Sequence, residues 1–189
     1  VKRLFQSSLS KTYLTGNPNF PLRRVQGAGK GLFCDFHAIN YYSRTAVSGF
    51  DSGFMDGVPV SDLGWEIYPQ GIAACARELY DIAKLPIYIT ENGTCDGTDA
   101  FRARYIFDHL RALSGSGLPV KRYYHWCFAD NFEWVEGYTA RFGIVHVDFD
   151  TQQRTVKRSG EFYAKMIEEK GVTQELYDAY CHASYKTNS

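Results

Sequence analysis

The chain has 189 residues, 44% hydrophobic and 16% aromatic, with 21 basic against 21 acidic side chains, enough to bury one sizeable core. The balanced charge gives no electrostatic basis for a nucleic-acid or anionic-membrane partner. No apolar run approaches transmembrane length, and the N-terminal VKRLFQSSLSKTYL lacks the apolar centre of a signal peptide.

In chain order, VKRLFQSSLSKTYL reads as a helix with Leu4, Phe5, Leu9 and Tyr13 roughly on one side. A loop rich in Gly, Asn, Pro and Arg runs to about residue 31, and FCDFHAINYY then reads as a buried strand. After a Gly- and Asp-rich loop, QGIAACARELYDIAK places Ile72, Cys75, Ala76, Leu79, Ile82 and Ala83 on one helical face. LPIYIT is a short apolar strand. DAFRARYIFDHLRAL is a helix with Thr98 or Asp99 expected as N-cap and Ile106, His109, Leu110 and Leu113 turned inward. RYYHWCF is a third strand, IVHVDFDTQQRTVKR a hairpin around Thr151 to Gln153, and SGEFYAKMIEEKG a last helix ending at Gly171. Residues 173–189 form a tail, with a short helix and then frayed chain expected.

Apolar strands alternating with amphipathic helices argue for parallel βα units, in an open doubly wound sheet or a (β/α)8 barrel. Neither a G-x-G-x-x-G nor a P-loop occurs, which favours the barrel. Three strands cannot close one, however. The sequence does not begin with Met and reads as part of something longer. Its five cysteines, Cys34, Cys75, Cys95, Cys127 and Cys181, are widely spaced and never in a CxxC pair. That argues against a disulfide framework or a zinc site and fits reduced thiols in a cytoplasmic protein. No metal and no cofactor is expected.

Three stretches carry ligand-like chemistry at strand ends, where parallel α/β folds place their sites. In IYITENGTC, Glu91 ends the second strand between Thr90 and Asn92, with Gly93 allowing a sharp turn. Taken alone, a strand-end Glu is more often a loop acid or a salt-bridge partner. WCFADNFEWVEGY interleaves Trp126, Phe128, Phe132, Trp134 and Tyr138 with Asp130, Asn131, Glu133 and Glu136. Stacking faces beside carboxylates and amides suit a sugar, whose C–H face packs on rings while its hydroxyls are bound by the polar groups; a tightly packed surface loop is the other reading. In INYY, Asn40 and Tyr42 are two residues apart and share a face.

ITENG, WCFADNFEW followed by GYTARFG and VD, INYY and GWEIYPQG resemble the C-terminal half of the family 1 glycoside hydrolases, retaining β-glucosidases and β-galactosidases on a (β/α)8 barrel. The resemblance covers nearly the whole chain, residues 1–172, as about three βα units of an incomplete barrel. It implies Glu91 as the nucleophile that forms the glycosyl-enzyme and Tyr42 as the residue that orients it. It implies Asn40, Trp126, Glu133, Trp134 and Phe142 in the glycone pocket and Trp65 at the aglycone entrance. Retention of Glu133 and Trp134 points to non-phosphorylated β-glycosides. Cys127 and Phe128 depart from the commoner Ser-Leu, and AINYY stands for GINYY.

Retaining hydrolysis uses two carboxylates about 5–5.5 Å apart, and the family's second comes from an NEP motif absent here. Glu136 and Glu66 match no acid/base position. The expectation is therefore half a glycone pocket, inactive alone, completed by an N-terminal half-barrel or by self-association that covers exposed sheet edges. The alternative is a non-catalytic carbohydrate-binding or interaction half-barrel.

Overall fold

A computed structural model describes residues 6–17, 29–49, 51–53 and 55–188. Its centre is a parallel sheet of β1 (His37–Tyr41), β5 (Ile87–Asn92) and β6 (Val120–His125) in the order β1-β5-β6. Helix α2 (Gln70–Ile82) connects the first pair and α3 (Arg102–Ser114) the second, giving the expected alternation of parallel strands and crossover helices. Ile39, Tyr41, Ile87 and Ile89 from the strands pack against Ile72 and Ala76 of α2 and Leu113 of α3. A second core joins Ala103 and Ile106 of α3 to Phe162 of α4 (Arg158–Glu168) and Leu176 of α5 (Gln174–Tyr180).

The other face of the sheet is bare. Ala38, Asn40 and Arg122 are exposed, as is Tyr124 at 51%, so β1 is buried on one side only and not throughout as its apolar composition suggested. A parallel sheet normally has both faces covered.

Three smaller pairings complete the described chain. β2 (Ala46–Ser48) pairs with β3 (Asp51–Gly53), β7 (Val145–Val147) with β8 (Arg154–Val156), and β4 (Pro59–Val60) with β9 (Lys186–Thr187), all antiparallel. The expected hairpin around 151–153 is therefore present. The tail does not fray after its helix: β9 returns to β4, and Asn188 Nδ2 donates to the Met55 carbonyl at 2.7 Å. At the other end, α1 (Gln6–Thr15) leaves Leu9 and Tyr13 exposed. The apolar side read from the opening sequence is thus not seated in the core, while Leu4 and Phe5 lie outside the described residues.

The capping assignment also changes. Asp96, not Thr98 or Asp99, caps α3: its Oδ2 accepts from the N–H of Phe101 at 2.8 Å and of Arg102 at 3.0 Å. Asp99 instead serves α4, accepting from the Ser159 N–H at 2.8 Å and hydroxyl at 2.6 Å, and it pairs with the fully buried Arg102. Both are short acids at a helix start, the residue type that satisfies free N–H groups; which helix each reaches depends on the fold of the 93–101 loop. Among the described residues there is no disulfide, and no helix is long and apolar enough to cross a membrane.

Candidate active site

Glu91 owes its position to a bulge. Pairing runs Ile39↔Ile89 and then Asn40↔Glu91, so Thr90 is an extra residue on β5; on the other side, Ile89↔Tyr123 is followed by Asn92↔His125. Strict alternation would send Glu91 to the helix side with Ile87 and Ile89. The observed burial along β5 breaks alternation at Thr90 and Glu91, both half-buried, while Asn92 is fully buried. An inserted residue of this kind re-aims the side chain that follows it. Thr90 Oγ1 then donates to Asn40 Oδ1 at 2.6 Å, and the Tyr42 hydroxyl donates to Glu91 Oε2 at 2.6 Å.

The aromatic wall gathers around Tyr42. Its ring meets Trp65 edge-on at 6.0 Å and Phe142 at 6.4 Å, and Trp65 and Phe142 are 5.8 Å apart. These rings and Trp126 pack on the buried Cys95, Cys127 and Ala140. Trp126 Nε1 donates to Glu133 Oε1 at 3.1 Å, which ties the indole to the second carboxylate. Trp134 follows on a single 3-10 turn and is 80% exposed, which excludes it as a core residue. The fold thus brings Tyr42, Trp65, Glu91, Trp126, Glu133 and Phe142 into one cluster, while Asn40 joins it through Thr90 and its pairing with Glu91 but lines a separate cavity beside Ser43, Arg44 and Leu79; Trp134 is exposed.

Electrostatics sort the acids. Burial, then the hydrogen bond and charge of Glu91, push the Tyr42 phenol upward, so it remains an O–H donor across the working pH range. Burial also raises Glu133, opposed by the bond from Trp126. The Cys127 thiol is pushed up to about 12 by burial and then by Glu133, which leaves it a protonated filler. Asp130 is not available to a sugar. Its fully buried side chain accepts from Lys157 Nζ and the Gly143 N–H, each at 2.9 Å, and faces Arg141 at 3.4 Å. Glu66 is likewise engaged, forked by Arg44 at 2.8 and 2.9 Å. Glu136 is exposed.

Two residues of ITENG, read in the sequence only as neighbours of Glu91, support the site. Asn92 donates from Nδ2 to the Tyr41 carbonyl at 2.7 Å and the Tyr105 hydroxyl at 2.9 Å, and accepts at Oδ1 from the Tyr123 hydroxyl at 2.9 Å. It thereby ties the ends of β1 and β6 to α3 immediately behind Glu91. Gly93 is required by space and not by a sharp turn: it has no positive φ, and a Cβ there would lie 1.7 Å from the Trp126 carbonyl oxygen. The Trp126–Cys127 peptide itself is cis. Both belong to the ITENG motif, but the motif gave no sign of the contacts that make them supports.

Fold and cleft together define a parallel α/β protein with an aromatic-walled, carboxylate-bearing site at the C-terminal ends of its strands. The model of glycosyl hydrolase family 1 matches residues 33–172. A β-galactosidase of Sulfolobus acidocaldarius is 33% identical over 75% of this chain and 33% of its own. A β-glucosidase of an Agrobacterium species is 42% identical over 70% of this chain and 34% of its own. The crystal structure of a hyperthermophilic β-glucosidase from Pyrococcus furiosus superposes with a TM-score of 0.69 at 34% identity, covering 75% of this chain and 34% of that one. The chain belongs to glycosyl hydrolase family 1. It spans about a third of the length of the curated relatives it matches.

Proposed function

We propose that this chain is the C-terminal part of a retaining β-glycosidase barrel, with Glu91 as nucleophile, acting on β-glucosides or related non-phosphorylated β-glycosides. The observation that carries this reading is the Tyr42–Glu91 hydrogen bond of 2.6 Å at a bulged strand end. A carboxylate gripped through one oxygen by a neutral phenol presents its other oxygen to an anomeric carbon in a fixed direction. The bare sheet face supports an incomplete barrel, since its exposed Ala38, Asn40 and Tyr124 sit where a closed barrel would cover them.

Around Glu91 the remaining roles follow from chemistry. Trp126 provides a stacking face with its N–H fixed on Glu133, and Glu133 retains lone pairs for sugar hydroxyls. Asn40, held by Thr90 and paired with Glu91, adds an amide at the edge of this pocket. Trp134 closes it from the open side, Phe142 backs it, and Trp65 stands toward the aglycone entrance.

Retaining chemistry needs a second carboxylate about 5–5.5 Å from the first to protonate the leaving group and later activate water. Of the acids nearby, Glu66 is held by Arg44 and Asp130 by Lys157, and Glu133, tied to Trp126, is the one assigned above to the sugar hydroxyls. On this reading the isolated chain is inactive, and an N-terminal half-barrel supplies the acid/base. The experiment is an aryl β-glucoside assay with and without such a half, together with labelling by a 2-fluoro glycoside. Turnover and an adduct on Glu91 are expected only in the assembled barrel. Tyr42→Phe should lower turnover there by about a hundredfold through loss of positioning. Turnover by the isolated chain that survives Glu91→Gln would overturn the assignment.

A further inference from the structure

Trp65 stands on no strand of the central sheet. It rides on a tight hairpin formed by residues 59–67. The Ser61 N–H donates to the Trp65 carbonyl at 2.9 Å, and the Ile67 N–H to the Pro59 carbonyl at 2.8 Å. Ser61 Oγ accepts from the N–H of Leu63 at 3.3 Å and of Trp65 at 3.2 Å. A two-stranded hairpin is marginal by itself, so the direction of the indole depends on what grips the hairpin from outside.

The C-terminal tail grips one side. β9 lies antiparallel on β4, and Asn188 Oδ1 accepts from the Val58 N–H at 2.9 Å. The tail is itself anchored on α3: the Tyr185 hydroxyl donates to Asp108 Oδ2 at 2.8 Å, and the Arg104 guanidinium lies 4.8 Å over the Tyr185 ring. Ile67 of the hairpin shares a core with Phe101, Tyr105, Ala183 and Tyr185.

Asp62 joins this tail to the loop that leaves the Glu91 strand. Its N–H donates to the Cys95 carbonyl at 3.1 Å, its Oδ2 accepts from the Gly97 N–H at 2.7 Å, and its Oδ1 pairs with Lys186 Nζ of β9. Asp96, between Cys95 and Gly97, is the cap of α3, so the loop that Asp62 holds is fixed. An exposed ion pair alone contributes little; the charge-assisted bond from Gly97 is the stronger tie. One carboxylate thus references the Trp65 hairpin both to the tail and to the nucleophile's strand end.

We propose that Asp62 is a positioning residue, which with Lys186 fixes Trp65 against Tyr42 and so shapes the leaving-group side of the site. The inference rests on the β-glycosidase reading above and adds the residue that sets how an aromatic aglycone is received. The test labels Trp65, Trp126 and Trp134 of this chain with 5-fluorotryptophan and follows them by fluorine NMR, with Trp65→Phe assigning the signal. Asp62→Ala should shift or broaden the Trp65 resonance and leave that of Trp134 unchanged. Asp62→Asn, which keeps an acceptor for Gly97, and Lys186→Met should each move it less, and Lys186→Arg should restore it. These milder variants carry the test if Asp62→Ala does not fold. In the assembled barrel, Asp62→Asn should raise KM for an aryl β-glucoside about three- to tenfold and leave kcat and the KM of methyl β-glucoside unchanged. A Trp65 signal that no variant moves, or one that moves no more than that of Trp134, overturns the proposal. Equal losses on both glucosides do so too and leave Asp62 a purely structural residue. Failure of the underlying reading looks different: Glu91 would take up no 2-fluoro glycoside, while Trp65 still responds to Asp62→Ala.

Discussion

Asn92→Ala isolates what holds the strand ends in place. The wild-type amide is 0% exposed and makes three hydrogen bonds, at 2.7, 2.9 and 2.9 Å, to Tyr41, Tyr105 and Tyr123. Truncation orphans the Tyr41 carbonyl and the Tyr123 hydroxyl, each at about 1–3 kcal/mol when buried. Tyr105 loses less, because its hydroxyl still donates to the Tyr42 carbonyl at 3.3 Å. The sum is a loss of about 3–5 kcal/mol, a large share of the stability of a domain this size. Urea titration followed by tryptophan fluorescence should show a lower midpoint at an unchanged slope. Tyr123→Phe alone should cost about 1 kcal/mol, and much less in the Asn92→Ala background, since the bond it removes is already gone. A loss below 1 kcal/mol for Asn92→Ala, or additive single effects, would refute the claim that this amide organises the sheet ends.

Other perturbations follow from the same geometry. Gly93→Ala forces a Cβ to within 1.7 Å of the Trp126 carbonyl, so the backbone must separate; lost near-UV dichroism of the indoles and a lower melting temperature are expected. Asp130→Ala leaves Lys157, a cation held at 2.9 Å by a fully buried carboxylate, without its partner, and should cost about 3–5 kcal/mol in chemical denaturation. Burial holds His109 near pKa 4 against an ordinary 6.5. The unfolded chain therefore takes up this proton first as pH falls. His109 costs nothing above pH 6.5, and stability drains between about 6.5 and 4 by up to about 3 kcal/mol. His109→Gln should flatten that part of a stability-against-pH curve.

The legible parts of the site were those carried by local chemistry. INYY, ITENG and DNFEW could be placed at strand ends because apolar runs and the glycines and acids that follow them are local signals. Asp130 shows the limit. By residue type alone it is one more carboxylate among aromatics, and only the family resemblance set Glu133, three residues on, apart from it; in the fold it is buried against Lys157 while Glu133 meets Trp126. Asp96 and Asp99 repeat the point, as neighbouring acids that cap different helices.

The sequence by itself determined the parallel α/β alternation, the inward faces of α2 and α3, the family and the set of residues at the strand ends, since each is written in short-range pattern. The tertiary structure alone decided which way those residues point. Thr90 becomes a bulge only because β1 and β6 pair on either side of β5 with one residue fewer. That through-space register turns Glu91 away from the helices and onto Tyr42. Gly93 must be glycine for a similar reason: the Trp126 carbonyl, which belongs to another strand end, occupies the place of its side chain. Pairing and close approach are relations between distant segments, and no local pattern encodes them.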